Sequence, residues 1–467
     1  MKKYLLAAAS LFIAASVSAQ SASPNGGISA DMLSRLRASY QNTPQDRAVR
    51  NAMHNSEINV LALNSDNALP IDTHFSHRVE SKGITNQKKS GRCWAFTGLN
   101  VLRAQMMAQH DLPELTLSQN YQFFYDQLEK SNLFLQGVID TASKPMDDQM
   151  VDWLFSNPLN DGGTYSGIAD LVMKYGVVPS SAMRETAHSE NTSTIRQLIS
   201  LKLREQGLRL REMASQKKKA ADIQKEKEAM LSDIYRMLVL AYGQPPTEFE
   251  WTRCDSKGKP IETKTYTPQS FYKEYVGDID LKNDFIMVMN DPMRPYWKLY
   301  EIDFDRHVYD GINWKYINLP IDEVKKLAIA SIKDSTMMYF SCDVAKQLDR
   351  NRGYMDLDNY DYASLFGVDF GMDKRERIMT HASGSSHAMT LMAVDLDENE
   401  QPRKWMVENS WGPGANDGHL IMTDRWFEEY MFRLAVNKKY ASADVLDVLN
   451  QTPTLLPAWD PMFLPDE

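Results

Sequence analysis

The chain has 467 residues, of which 24% are charged, with a formal net charge of −10 and three cysteines. This acidic balance argues against a general nucleic-acid binder, because such proteins neutralise phosphates with lysine and arginine. Three cysteines in this length exclude a disulfide-rich scaffold, and the length alone fits either three domains or one elaborated fold.

The first element in chain order is an apolar segment behind a positive charge. Residues 2–3 are lysines, residues 5–17 are apolar, and residues 17–19 (Val-Ser-Ala) form a small-residue cleavage pattern. The run is too short to span a bilayer, so residues 1–19 predict a secretory signal peptide, with an uncleaved interfacial anchor as the alternative. Cleavage would remove two lysines and leave a net charge of −12 (−10 − 2). We therefore expect export to the periplasm or the exterior, and no membrane span in the mature chain.

A polar arm leads to a helical region. Residues 20–70 are polar and mixed, which predicts an N-terminal arm. Within residues 71–190, apolar side chains recur at helical spacing from 93 to 110 and again over 117–136. The run "NPLNDGGTYSG" that begins at Asn157 is typical of a loop. We interpret this part of the chain as a helical lobe.

Residues 191–250 differ in composition from their surroundings. They are rich in Lys, Glu, Arg, Leu and Ala with mixed charge at helical spacing, which predicts a helical insertion of two long exposed helices. Lys217–Lys219 is interpreted as a solvated turn or helix face, with a nucleic-acid patch as the alternative. Short apolar runs after this insertion are typical of strands and predict a β-rich lobe at 251–450. Residues 451–467 are predicted to form a C-terminal tail. Helices first and strands later predict an α+β fold.

Cys93 stands where a basic, glycine-containing loop runs into the apolar helix. A helix N-terminus and a nearby imidazolium both stabilise a thiolate, so this position predicts a nucleophile with thiolate character near neutral pH. Gln87 lies six residues earlier on the incoming loop. We expect its amide NH2 to turn toward the thiol and to form, with the Cys93 backbone N–H, a pair of oxyanion donors.

A nucleophilic thiol needs a base, and the base needs an orienting group. His387 opens one apolar run and Asn409 closes the next, so two antiparallel strands would bring these side chains together. Asn409 would then bind one imidazole nitrogen and leave the other for the sulfur, while Trp411 would cover that hydrogen bond from water. His381, in the loop six residues before His387, is the second candidate for the base.

The remaining histidines and cysteines carry no comparable pattern. His74 and His77 lack metal-like partners at useful spacing and are interpreted as structural, so we predict no metal and no cofactor. Cys254 lies in a stretch that resembles an exposed loop. Cys342 follows an apolar run and is expected to be buried, with no disulfide between the two.

The order Gln, Cys-Trp, His-Ala and Asn-Ser-Trp-Gly resembles the papain-like cysteine peptidases. Two features depart from the common pattern: 294 residues separate Cys93 from His387 (387 − 93), and Ser90 stands at the first cysteine of the signature. Both departures are typical of the bleomycin hydrolase and bacterial aminopeptidase C branch. The stretches "DGGTYSGIADLVMKYGVVP", "MMYFSCDVAKQ" and "LPAWDPM" are also similar to that branch.

This resemblance implies a papain-like two-lobed body with a helical insertion, assembled as a hollow homohexamer. It implies aminopeptidase activity on peptides with a free N-terminus, with Gly162 and Gly163 pairing with the substrate backbone. It also implies a C-terminal tail that reaches the cleft, where the terminal carboxylate on Glu467 receives the substrate α-amine. The resemblance also implies an intracellular location, from which the predicted signal peptide of this chain departs. Some members of the branch bind nucleic acid, and the acidic balance of this chain argues against that property. The alternative function is a catalytically silent relative that binds peptides or serves in assembly.

Overall fold

The computed structural model describes residues 26–112, 115–255, 257–277 and 279–463. The predictions for residues 1–19 and for Glu467 therefore lie outside the described residues.

The chain divides into two compact units. The smaller unit contains residues 26–63 together with 364–367. Its helices are short, and the second begins with a capping box between Thr43 and Asp46. The three helices are α1 (Ala30–Ser39), α2 (Pro44–Met53) and α3 (Ile58–Leu61).

The larger unit contains the remaining described residues, and most of its helical residues precede all of its strands except the first, which has two residues. The further helices of the described chain are α4 (Cys93–His110), α5 (Gln119–Asp140), α6 (Gln149–Ser156), α7 (Tyr165–Tyr175), α8 (Ser193–Ser215), α9 (Ala220–Tyr242), α10 (Pro268–Tyr275), α11 (Ile321–Lys333), α12 (Tyr362–Phe366), α13 (Lys374–Met379), α14 (Asp424–Tyr430) and α15 (Ala443–Val448). None of the helices in the described ranges is long and apolar enough to cross a membrane.

The strands are β1 (His77–Arg78), β2 (Phe249–Cys254), β3 (Pro260–Tyr266), β4 (Phe285–Met289), β5 (Lys298–Ile302), β6 (Lys315–Asn318), β7 (Met338–Cys342), β8 (Leu348–Asp349), β9 (Tyr354–Met355), β10 (His387–Leu396), β11 (Pro402–Glu408), β12 (His419–Thr423), β13 (Met431–Asn437) and β14 (Thr454–Leu456). Among the described residues, twelve of them form one mixed sheet in the order β14-β5-β6-β4-β13-β7-β10-β11-β12-β9-β8, with β1 also paired to β10. Strands β2 and β3 form a separate hairpin. This arrangement confirms the predicted α+β class.

Helix α4 lies between the sheet and the other helices. It contacts β10 and β7 on one side and α5 and α7 on the other. Because both sides are covered, the helix is apolar around much of its circumference, with Trp94, Leu99 and Met106 all buried. The first residue of α4 is thereby held against the first residues of β10.

The structure corrects two expectations about exposure. Helices α8 and α9 pack against α5 and bury Leu203 and Ile234, so they are half-buried rather than exposed. Cys254 is the last residue of β2 and half-buried, so its assignment to an exposed loop is wrong. Cys342 is fully buried at the end of β7, as expected. All three cysteines lie in the described ranges and carry thiols rather than disulfides.

Candidate active site

Cys93 is the first residue of α4, at the end of the loop that carries Gln87. The preceding side chain, Arg92, does not cap the helix. Its buried guanidinium forms two hydrogen bonds to the Glu185 carboxylate, at 2.8 and 3.1 Å, and lies over the rings of Phe96 and Phe123. These contacts fix the loop against the helical side of the molecule. The positive end of the α4 dipole is therefore available to a charge on Cys93.

His387 and Asn409 meet at the ends of neighbouring antiparallel strands. His387 begins β10, and Asn409 follows the last residue of β11. The imidazole Nε2 lies 2.8 Å from Asn409 Oδ1, and the backbone N–H of Ser410 donates to that same oxygen at 2.8 Å. Because the Ser410 N–H identifies Oδ1 as an acceptor, Nε2 carries the proton. Nδ1 is then the nitrogen left for a thiol.

Strand β10 also reaches the sulfur of Cys93. The backbone N–H of Ala388 donates to Cys93 Sγ at 3.4 Å, so the residue after His387 lies directly against the thiol. Cys93 is 0% exposed, and His387 and Asn409 are each 2% exposed. In such a low-dielectric environment, a hydrogen bond between charged groups is stronger than in water. The structure thus brings together the three residues predicted to act as nucleophile, base and orienting group.

Trp411 lies over the imidazole. The ring centroids of Trp411 and His387 are 4.8 Å apart at an interplanar angle of 32°. On the indole, the guanidinium carbon of the exposed Arg350 lies 4.6 Å from the ring centroid. Trp411 is also held by a β-bridge to Asn86, next to Gln87. The indole therefore occupies the place from which it can keep water off the His387–Asn409 hydrogen bond.

Gln87 connects the nucleophile loop to the loop after β11. Its Oε1 accepts the Ser410 hydroxyl at 2.6 Å, and its Nε2 donates to the Ser90 carbonyl at 2.7 Å. Its backbone N–H donates to the Ser410 carbonyl at 2.8 Å. These contacts fix the orientation of the side-chain oxygen and nitrogen, and the Ser90 carbonyl accepts one of the two Nε2 hydrogens. The other hydrogen is the one that the predicted oxyanion interaction requires.

Gly162 and Gly163 lie on the loop before α7, beside a buried histidine. The Lys130 ammonium donates to the Gly162 carbonyl at 2.5 Å. A Cβ built on Gly163 would lie 2.2 Å from the His307 ring, and one on Gly167 would lie 2.3 Å from it. The close approach of His307 is thus a physical reason for glycine at 163, in addition to the predicted pairing with substrate.

The sequence analysis missed a buried charged cluster next to these glycines. His307 Nδ1 lies 2.5 Å from Asp126 Oδ1, and Lys130 Nζ lies 3.0 Å from Asp126 Oδ2. Burial opposes the charge on Asp126, but Lys130 and His307 outweigh it and lower the pKa of this carboxyl. Burial and the Lys130 ammonium lower the pKa of His307, and its ring packs edge-on against Trp94. Asp126 and Lys130 are four residues apart on α5, but His307 is distant from both in sequence, and no spacing rule links it to them.

The C-terminal tail reaches the same region. Strand β14 pairs in parallel with β5, and Arg294 forms an ion pair with Asp460. Arg433 donates to the Met462 carbonyl at 3.0 Å, and the ring of Phe463 packs edge-on against Trp153 at 5.6 Å. Phe463 also lines a cavity whose wall includes Gly162, Gly163 and His307. Phe463 is the last residue described, so the role predicted for Glu467 stays a prediction.

The other histidines lie elsewhere. His381 is exposed in the loop before β10 and lines a groove with Trp459 and Asp460, whereas the imidazole bound to Asn409 is that of His387. His77 lies in β1 and His74 is exposed. Across the described ranges, no group of three or more His, Cys, Asp or Glu is placed to hold a metal ion.

Comparison with known proteins matches residues 27–463 to the peptidase C1-like family. The chain is 38% identical to aminopeptidase G of Lactobacillus delbrueckii subsp. lactis, over 92% of this chain and 97% of the relative. It is 37% identical to bleomycin hydrolase of Mus musculus, over 94% and 98% of the two chains. The crystal structure of pepw from Lactobacillus rhamnosis superposes with a TM-score of 0.90 at 36% identity, covering 94% of this chain and 99% of that one. The predicted papain-like fold and the resemblance to the bleomycin hydrolase branch are confirmed, and the chain belongs to the peptidase C1-like family.

Proposed function

We propose that this protein is an exported cysteine aminopeptidase that removes N-terminal residues from peptides. Cys93 is the nucleophile, His387 the acid and base, and Asn409 the group that orients the imidazole. One observation carries the proposal: His387 is bound to Asn409 at 2.8 Å while the next residue, Ala388, donates to Cys93 Sγ at 3.4 Å. The names of the relatives, aminopeptidase G and bleomycin hydrolase, support the same reaction class.

The acylation step follows from this geometry. His387 takes the thiol proton at Nδ1, and the Cys93 thiolate attacks the carbonyl carbon of the first peptide bond. The oxyanion that forms is stabilised by the backbone N–H of Cys93 and the second amide hydrogen of Gln87. The imidazolium then gives its proton to the leaving amine, the C–N bond breaks, and the first residue remains as a thioester on Cys93.

Deacylation uses the same groups in reverse order. Neutral His387 takes a proton from water, and the hydroxide attacks the thioester carbonyl. The thiolate leaves and the free amino acid is released. Asn409 holds the imidazole in one tautomer in both steps, and Trp411 keeps bulk water from competing for its oxygen. The tail restricts the cleft to one residue before the scissile bond by presenting a carboxylate to the substrate α-amine.

Export and assembly are further parts of the proposal. Residues 1–19 are expected to be cleaved, and a mature N-terminus at Gln20, read by sequencing of the exported protein, would support this. The homohexamer is proposed from the resemblance to the bleomycin hydrolase branch alone. A measurement of the molecular mass of the assembly in solution tests it. Nucleic acid remains an unexpected partner because the net charge is −10.

The experiment that tests the activity uses a fluorogenic aminoacyl substrate in reducing buffer, with and without a thiol alkylator. We expect hydrolysis that the alkylator abolishes, because the thiolate is both the nucleophile and the target of alkylation. Hydrolysis that resists the alkylator would overturn the thiol mechanism. No hydrolysis in any aminoacyl series would favour a silent peptide-binding relative instead.

Asn409→Ala is expected to lower kcat roughly 10- to 100-fold, with a smaller effect on KM. The substitution leaves His387 unoriented, but it removes no group that binds substrate. Asn409→Asp keeps an acceptor oxygen at the same place and should lose less. Steady-state measurements of kcat and KM for the native enzyme, Asn409→Ala and Asn409→Asp test this prediction. Full activity in Asn409→Ala would show that Asn409 does not orient the imidazole.

Gln87→Ala is expected to lower kcat by up to about 100-fold, because a lost oxyanion donor matters where charge develops. The same variant also removes the hydrogen bonds to Ser90 and Ser410. Ser410→Ala is the matched control, since it deletes one of those positioning contacts and leaves the amide donor in place. A change in KM alone in Gln87→Ala would place Gln87 in substrate binding instead.

A further inference from the structure

The carboxylate of Asp161 is buried at the centre of a set of donors. Its side chain is 6% exposed. It accepts the backbone N–H of Gly91 at 3.1 Å and the hydroxyl of Thr192, and Arg196 Nη1 lies 3.2 Å from its other oxygen. Two neutral donors and one cation therefore converge on one carboxylate. Such charge-assisted contacts are the strong ones in a protein interior.

Two sides of the candidate active site meet at this residue. Gly91 lies two positions before Cys93, and a Cβ built on it would lie 3.1 Å from Asp161 Cγ. The carbonyl of Asp161 accepts the indole N–H of Trp94, the residue after Cys93, at 2.9 Å. The next residue along the chain is Gly162. Asp161 thus contacts the chain on both sides of Cys93, at Gly91 and at Trp94, and it directly precedes the Gly162–Gly163 pair.

The other partners of Asp161 belong to the start of helix α8. Thr192 occupies the N-cap position, but its side chain makes no capping hydrogen bond and its hydroxyl binds Asp161 instead. Arg196 lies one turn into the helix. The helix dipole at this end also favours an anion. Helix α8 belongs to the predicted insertion, so Asp161 connects that insertion to the nucleophile loop.

We propose that Asp161 is a positioning residue that couples the start of α8 to the placement of Cys93 and the Gly162–Gly163 pair. The inference rests on the proposed function, since it assigns Asp161 a part in the reaction of Cys93. A carboxylate fits this role because it accepts from Gly91, Thr192 and Arg196 together, whereas an amide has one acceptor oxygen and repels donors at its NH2. Movement of α8 would then alter the reactivity of the thiol.

The test is a double-mutant cycle on the ion pair, with Asp161→Asn and Arg196→Gln. For each protein we would measure kcat/KM and the rate at which iodoacetamide modifies Cys93, mapped by peptide mass spectrometry. Asp161→Asn should lower kcat/KM roughly 10- to 100-fold, because small displacements of a reacting group are costly. Arg196→Gln should lower both quantities about three- to ten-fold in the native background, and by much less in the Asp161→Asn background.

Arg209→Gln is the matched control, because Arg209 forms a surface ion pair with Glu212 on the same helix. It should leave the alkylation rate and kcat/KM unchanged. Additive effects in the cycle, or an alkylation rate that matches the Arg209→Gln control, would assign Asp161 a purely structural role. If Asp161→Asn does not yield folded protein, the comparison of Arg196→Gln with Arg209→Gln decides alone. The native enzyme is assayed alongside, and its inactivity would overturn the proposed function rather than this inference.

Discussion

Replacement of Cys93 by alanine is expected to lower hydrolysis of aminoacyl substrates by about 10⁴-fold or more while the protein stays folded. The magnitude follows from the loss of the only group that forms the acyl intermediate, since removing a nucleophile leaves catalysis from the oxyanion site and from binding alone. The substitution removes one sulfur atom from a side chain that is already buried beside Ala388. Steady-state rates and a thermal unfolding curve together separate lost chemistry from lost structure.

The other two thiols provide the control for this prediction. Cys254→Ala should retain the native rate, because Cys254 ends strand β2, in a hairpin separate from the large sheet. Cys342 is a register partner of His387 on β7 and is itself fully buried, so its replacement could disturb the base through packing. Cys254→Ala is therefore the cleaner comparison. Substantial hydrolysis by Cys93→Ala, with native rates in Cys254→Ala, would mean that another group is the nucleophile.

The parts of the site that could be predicted from sequence are those with local patterns. Cys93 marks the point at which a loop becomes an apolar-periodic helix, and His387 marks the start of a continuous apolar run. Helix α4 begins at Cys93 and β10 begins at His387. Because a strand that is covered on both faces needs apolar side chains throughout, the run 387–396 could be identified without knowing its partners.

The parts that could not be predicted are polar contacts between distant segments. Arg92 binds Glu185, Asp126 contacts His307, and Asp161 binds Arg196, and none of these pairs has a periodic or fixed spacing. Each pair exists because a buried charge is costly unless an opposite charge or a hydrogen bond meets it. That requirement predicts that a partner exists, but the fold alone determines which residue it is.

The second large effect is expected at the C-terminal tail, because the described part of the tail lines the cavity beside Gly162 and Gly163. The chain is tied down by Arg294 at Asp460 and by Arg433 at the Met462 carbonyl. Phe463 then packs on Trp153 and lines the cavity that includes Gly163. Papain-like clefts are open at both ends, so an exopeptidase needs a group that closes one side. We propose that the tail, anchored beside this cavity, is the group that closes one side of the cleft.

Deletion of residues 463–467 is therefore expected to preserve the thiol chemistry and to admit N-acetylated and longer substrates. A charge-assisted contact with the substrate α-amine contributes about 1.5–3 kcal/mol, so the preference for a free N-terminus should fall roughly 10- to 100-fold. Two full-length variants locate the contact. Glu467→Gln keeps the terminal carboxylate and should keep the preference, whereas addition of one glycine moves that carboxylate and should weaken it. The ratio of kcat/KM for free and acetylated substrates measures the effect in each protein. A truncated enzyme that still rejects acetylated substrates as strongly as the native one would show that the closed end of the cleft is built by other residues.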